Sequence, residues 1–277
     1  MNDWLTIRRG SAPLIVSLPH TGTEIPAEFQ DGLVSLWLAR RDADWWIDEL
    51  YAFTEALDAT IVRTAISRTV IDVNRDPSGV SLYPGQATTG LCPTTSFDGE
   101  PLYGPGREPD EAEIARRKAL YHAPYHAALQ AEVARLRALH PQIVVYDCHS
   151  IRSHIPRLFD GELPQFNIGT NSGAACAPAL QAAIEAITAA SGLSSVANGR
   201  FKGGTITRSL GDPAAGVHAV QMELACRGYM DEPEVPSPDN WPTPYDPAFA
   251  APLIEILRAV ITTCLAFAEP AQRQASS

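Results

Sequence analysis

Two histidines, a glutamate and several arginines are the residues of this 277-residue chain whose types and placement could do chemistry. His20 comes two residues after the apolar run Leu14–Leu18, and His149 follows a second β-like run at 142–146. Glu223 lies inside a third, at 217–224. Open α/β sheets bind ligands in the crevice beyond the carboxyl ends of their strands, so three such segments can deliver these groups to one place. A single buried histidine is more often a hydrogen-bonded core residue than a ligand; two at strand ends shift the balance. Two neutral imidazoles and one carboxylate make a tetrahedral hydrolytic zinc site, whose open position holds a water with a pKa near ~7. The carboxylate could be Glu24, four residues after His20; Asp44 or Asp48, one helical turn apart; or Asp147. Spacing leaves these open. Most carboxylates on an acidic helix form a solvated face, but Trp45 and Trp46 favour burial of Asp44.

Other combinations are weaker. His122 and His126 are four apart, yet the residues between them lack the glutamate of a metalloprotease H-E-x-x-H. Cys148 and His149 are adjacent on a predicted strand, where successive side chains face opposite ways, so they cannot form a nucleophile and base pair. Arg68, Arg75 and Arg208 flank strand ends or Gly-rich turns. A guanidinium fork grips carboxylates in a bidentate manner, which suits a small acidic substrate, though surface ion pairing is at least as common. Gly203 and Gly204, before Arg208, mark a tight turn or a close approach to ligand.

The elements that must position these groups read as follows. Residues 14–18 form a buried strand, 32–57 a long acidic helix, and 60–73 two β-branched runs that read as strands or a hairpin. Residues 76–107, rich in Pro, Gly, Ser and Thr, are irregular and a candidate lid. A helix runs from 108 to 140 with Pro124 as an interior kink, then the strand at 142–146. A short strand at 165–168, a helix at 174–190, the strand at 217–224 and a helix at 247–268 complete the pattern. Such alternation predicts an α/β fold with a mixed, largely parallel central sheet flanked by helices, in one domain over 1–268 and a disordered tail over 269–277.

Composition narrows the classes. Hydrophobic residues make up 45% and charged residues 19%, the balance of a soluble globular chain. The start of the chain shows no secretory signal, and no long apolar run reads as a membrane span, so the expectation is a cytoplasmic protein without a membrane partner. A net charge of -11 opposes nucleic-acid binding. That field also repels an anionic substrate at long range, so an acidic substrate needs locally concentrated arginines. Five scattered cysteines without a C-x-x-C pair predict reduced thiols.

Six segments, in order, resemble the N-formylglutamate amidohydrolase family: Ser17-Leu-Pro-His-Thr-Gly22, Asp72-Val-Asn-Arg75, Tyr125-His126, Asp147-Cys-His-Ser150, Phe201-Lys-Gly-Gly204 with Arg208, and Gln221-Met-Glu223 followed by Tyr229-Met-Asp-Glu232. The resemblance spans about residues 14 to 232. It implies a fold similar to zinc carboxypeptidases and aspartoacylase, and zinc-dependent release of formate from N-formyl-L-glutamate in histidine degradation. By position, it implies that His20 and His149 are zinc ligands, with Asp44 as the third and Glu24 as the next choice. In the carboxypeptidase pattern the ligand carboxylate lies three residues after the first histidine, where this chain has Thr23. Glu223 matches the general base, Asn74-Arg75 the pair that grips a substrate carboxylate, and Arg208 a second clamp. Thr205, Ser209 and Leu210 stand where an aromatic residue or histidine is expected in closer relatives. The alternatives are a metal-dependent deacylase of another N-acyl amino acid or a small peptide, and, in a different class, a non-catalytic dicarboxylate-binding protein. A pure binder has no use for Glu223 beside two histidines.

Overall fold

The computed structural model describes residues 3–81 and 85–269. The tail expected to be disordered lies outside them apart from Glu269. Seven strands form one sheet: β1 (Leu5–Arg8), β2 (Leu14–Leu18), β3 (Thr60–Thr64), β4 (Ile143–Ile151), β5 (Phe166–Gly169), β6 (Ser195–Ala197) and β7 (Val217–Ala225), in the order β1-β3-β2-β4-β7-β5-β6. The central strands β3, β2, β4 and β7 run parallel, while β1 pairs antiparallel with β3 and β5 antiparallel with β7. The mixed, largely parallel sheet expected from the alternating pattern is present; the short edge strands β1 and β6 carried no usable pattern. Helices cover both faces, as buried parallel strands require.

The alternation of side chains along the central strands explains where the chemistry lies. Val144, Tyr146 and Cys148 of β4, with Val220, Met222 and Leu224 of β7, enter a core shared with α5 (Pro178–Ala190) and α7 (Pro247–Ala268). The opposite face begins apolar, with Ile143 and Val145 beside Val217 and Ala219 against α4 (Ala123–Arg137) and α6 (Thr205–Leu210). Two residues further on, the same face carries Asp147 and His149 beside Gln221 and Glu223, paired in register. Each strand thus begins as core and ends as site. α7 is apolar and long enough to cross a bilayer by composition, but Leu253, Leu257, Val260, Ile261 and Cys264 pack into the core. All five cysteines are free and buried.

Three sequence expectations are corrected. The helix over 32–57 is broken into α1 (Leu36–Arg41), α2 (Ile47–Leu50) and a 3-10 segment at Ala52–Leu57. Trp46 adopts φ 62°, and the Asp44 N–H donates to the His20 carbonyl at 3.0 Å, so the break turns Asp44 inward. The second β-branched run, 69–73, is buried but not a strand: Val70 N–H turns back to the Ser67 carbonyl and Asp72 N–H reaches the Leu91 carbonyl. The helix expected over 108–140 is α3 (Glu111–Arg117), a π-helical turn at Lys118–His122, then α4. Pro124, lacking an N–H donor, follows that wide turn directly, so a bulge takes the place of a sharp kink.

Candidate metal centre and substrate cleft

His20 follows the end of β2, and His149 lies in β4 two residues beyond Asp147, whose register partner in β2 is Ser17. Their imidazole Nδ1 atoms stand 3.1 Å apart. Asp44, delivered by the break between α1 and α2, places Oδ2 3.0 Å from His149 Nδ1 and 3.6 Å from His20 Nδ1. All three residues are buried, and their facing atoms lie within 4.8 Å of one another. Ligands bonded at ~2.1 Å to one tetrahedral ion lie about 3.4 Å from each other, close to these separations.

The outer atoms are also engaged. His20 Nε2 donates to Asp72 Oδ1 at 2.6 Å, and His149 Nε2 donates to Asp147 Oδ2 at 3.0 Å. A ligating imidazole commonly carries a carboxylate on its far nitrogen, which fixes the tautomer and turns the other lone pair inward. Two such lone pairs 3.1 Å apart repel unless a cation lies between them. Charge agrees: Asp44 among the facing atoms, with Asp72 and Asp147 behind the two imidazoles, gathers negative charge around the point where a cation would sit. The residues present therefore fit a metal such as zinc.

The electrostatics follow. Burial works against a charge on Asp44, yet His20 and His149 hold its carboxyl below the usual range. Burial opposes Asp72 likewise, but His20, Arg68 and Arg75 keep it well below the ordinary value. Burial disfavours imidazolium at His149, while Asp147 and Asp44 more than offset it and draw its pKa well above that of a free histidine. This is the cation-seeking field of the site. Glu223 differs: burial raises its pKa to about 7, with His149 opposing and Asp44 adding to the rise. Gln221 donates to Glu223 Oε2 at 3.1 Å, and the register sets Glu223 directly opposite His149. The arrangement offers a metal seat with a carboxylate poised near neutrality beside it.

The other predicted residues separate clearly. Asn74 and Arg75 both line the cleft. Asn74 is also a brace: its Nδ2 donates to Asp147 Oδ2 at 2.9 Å, its Oδ1 accepts from Ile206 N at 2.8 Å, and its backbone N–H donates to Asp72 Oδ1 at 2.9 Å. Arg208 is not among the described residues that line the cleft; its Nε donates to the Gly203 carbonyl at 2.8 Å. Glu24 is exposed, and Asp48 pairs with Arg63, so neither enters the metal group. Asp147 lies on the outer side of His149. His122 and His126 stack at 4.4 Å and donate through Nε2 to the carbonyls of Arg75 at 2.9 Å and Val73 at 2.7 Å. They hold the 73–75 loop.

Sequence reasoning left Asp72, Phe97 and Arg200 without roles. Asp72 opens one of the six family-like segments, and the signal for it was its place four residues after Arg68, with which it pairs at 2.8 Å. Phe97 lies under the Arg68 guanidinium at 4.8 Å. It comes, with Thr88 and Thr89, from the irregular segment expected to be a lid.

The sequence profile of the N-formylglutamate amidohydrolase family matches residues 12–230. An N-formylglutamate deformylase of Pseudomonas aeruginosa is 47% identical over 266 residues, covering 96% of both chains. One of Pseudomonas putida is 44% identical over 275 residues, covering 99% of this chain and 100% of the relative. The crystal structure of N-formylglutamate amidohydrolase from Ralstonia eutropha JMP134 shares the fold, with a TM-score of 0.74 at 24% identity over 96% of this chain and 97% of that one. On the match over most of its length and the identity to these relatives, this chain belongs to the N-formylglutamate amidohydrolase family.

Proposed function

We propose that this protein hydrolyses N-formyl-L-glutamate to formate and L-glutamate with a divalent metal, zinc by ligand type, held by His20, Asp44 and His149. The observation that carries the reading is the convergence of two Nδ1 atoms 3.1 Å apart and the Asp44 carboxylate, with Glu223 in register beside His149. A bound ion would supply an acidified water and an electrophilic seat for the formyl oxygen.

The chain's own residues do the rest. Glu223, near its pKa at neutral pH, takes the proton from the attacking water and passes it to the departing amine nitrogen. Arg75 grips a substrate carboxylate with Asn74 beside it, which fixes the formyl carbon in front of the water and contributes orientation. Arg68, held by Asp72 and stacked on Phe97, presents a fixed positive charge towards the oxygen that becomes negative. Asp72 and Asp147 keep the two imidazoles in the ligating tautomer.

The test is elemental analysis of protein purified without added metal, with formate release measured before and after chelation. About one divalent ion per chain and chelator-sensitive, zinc-restored formate release are expected. Full turnover by metal-free protein would refute the metal role, and no formate release by metal-loaded protein would refute the substrate.

A further inference from the structure

The cleft is lined by three guanidinium groups, from Arg68, Arg75 and Arg200. Arg68 is committed to Asp72 and Asp44, at 2.8 and 3.4 Å. Arg75 is fastened to the irregular segment: its Nε donates to the Thr89 carbonyl and its Nη2 to Thr89 Oγ1, both at 3.1 Å. Arg200 arrives from another part of the chain, after β6, yet grips the same strip: its Nη2 donates to the Ala87 carbonyl at 2.7 Å, and its Nε to the Leu158 carbonyl at 2.8 Å. Its guanidinium also lies over the Phe201 ring at 5.4 Å.

On this geometry we propose that Arg200 selects the substrate's second carboxylate, and so makes the enzyme specific for an acidic side chain; the inference rests on the deformylase reading above. Ala87 and Thr89 are two residues apart, so their anchoring points are separated by at most about 7 Å. The two carboxyl carbons of glutamate, four bonds apart, span ~5 Å when extended. Arg75 and Arg200, fastened to neighbouring points of one strip and both lining the cleft, are the two guanidiniums we assign to those two carboxylates. The Ala87 and Leu158 carbonyls fix the Arg200 guanidinium without themselves cancelling its charge. Leu158 and Phe201, beside it in the cleft, shield the pair from water and strengthen it.

Arg200→Met keeps length and packing and removes the charge. The metal-loaded wild type and variant are compared by calorimetry with L-glutamate and L-glutamine, and by kcat/KM with N-formylglutamate and N-formylglutamine. Wild type favours the acidic member of each pair; the variant loses about 10- to 100-fold of that preference while its values for the amide member change little. Arg200→Lys recovers part of the preference. A merely structural role would lower both members alike and leave their ratio unmoved. An unchanged ratio in Arg200→Met, or equal binding of glutamate and glutamine by wild type, overturns the proposal. Absence of formate release in wild type would instead sink the deformylase reading, and the calorimetric ratio would still decide for or against Arg200.

Discussion

Gly204 sits against the face of the Asn74 amide, and adding one methyl group there tests whether the outer supports of the site matter. The backbone at Gly204, with φ −83° and ψ −166°, suits alanine, so Gly204→Ala adds no backbone strain. A Cβ would fall 2.5 Å from Asn74 Oδ1 and 2.6 Å from its Cγ and Nδ2. Comfortable contact needs about 1 Å more, so the amide must slide away. That movement loosens the bond to Asp147, which orients His149, and the bond to the Ile206 N–H. Hydrogen bonds to charged groups are each worth about 1.5–3 kcal/mol, and loss of a ligand's outer support weakens metal binding or turnover by roughly 10- to 100-fold. The assay is zinc competition against a chromophoric chelator, with kcat/KM for N-formylglutamate measured on zinc-saturated protein. Gly211→Ala is the control, since its Cβ would strike Ala175 at 2.6 Å, in the core away from the cleft. It should lower the melting temperature and leave the zinc affinity of folded protein intact. Zinc affinity and kcat/KM within twofold of wild type in Gly204→Ala would refute the reasoning.

Two further predictions concern protons. Because burial raises the Glu223 pKa to about 7 and its ionised form is the base, the rate should fall as pH drops below about 7. Glu223→Gln should retain metal, lose about 100- to 10,000-fold in kcat and lose that acid limb, and a wild-type pH profile in the variant would remove Glu223 from the base role. His126 titrates the other way, since burial, with the stacked His122 adding to it, lowers its pKa from 6.5 to about 4. The unfolded chain therefore takes the proton more readily, so this contribution to stability is whole above about pH 6.5, shrinks as pH falls and is lost below about 4. His126→Gln, which can still donate to the Val73 carbonyl, should be less acid-sensitive, narrowing its stability gap to wild type by about 2 kcal/mol between pH 7.5 and 5 in urea melts. A gap that stays constant with pH would show that His126 does not titrate there.

The central strands and their chemistry were legible in the sequence because buried parallel strands are short apolar runs, and a polar residue at the carboxyl end of such a run faces the crevice where ligands bind. Leu14–Leu18 and the helix at 247–268 coincide with the structure, and His20, His149 and Asp44 meet as expected. Asp44 could not be chosen by spacing, since its entry depends on a helix break marked only by the backbone angle at Trp46. Apolar periodicity runs through that break because α1, α2 and the 3-10 segment each bury one face. The β-branched residues 69–73 misled for a related reason: burial attracts such side chains whether or not the backbone is extended. Arg208 stood out from its neighbours in sequence and its Nε bonds the Gly203 carbonyl, whereas only the folded chain reveals Arg200 beside the cleft.

Because each of β4 and β7 is apolar at its start and polar at its end, His149 and Glu223, to which we assign part of the bond breaking, ride on the part of the molecule least able to deform. The groups to which we assign recognition, Arg75 and Arg200, sit instead on irregular chain and are tied to the strip at 87–89. Selectivity can therefore drift by changes in connecting segments while the hydrolytic apparatus stays intact, and attempts to redirect the enzyme to other formylated amino acids belong in those segments, where insertions cost little folding energy.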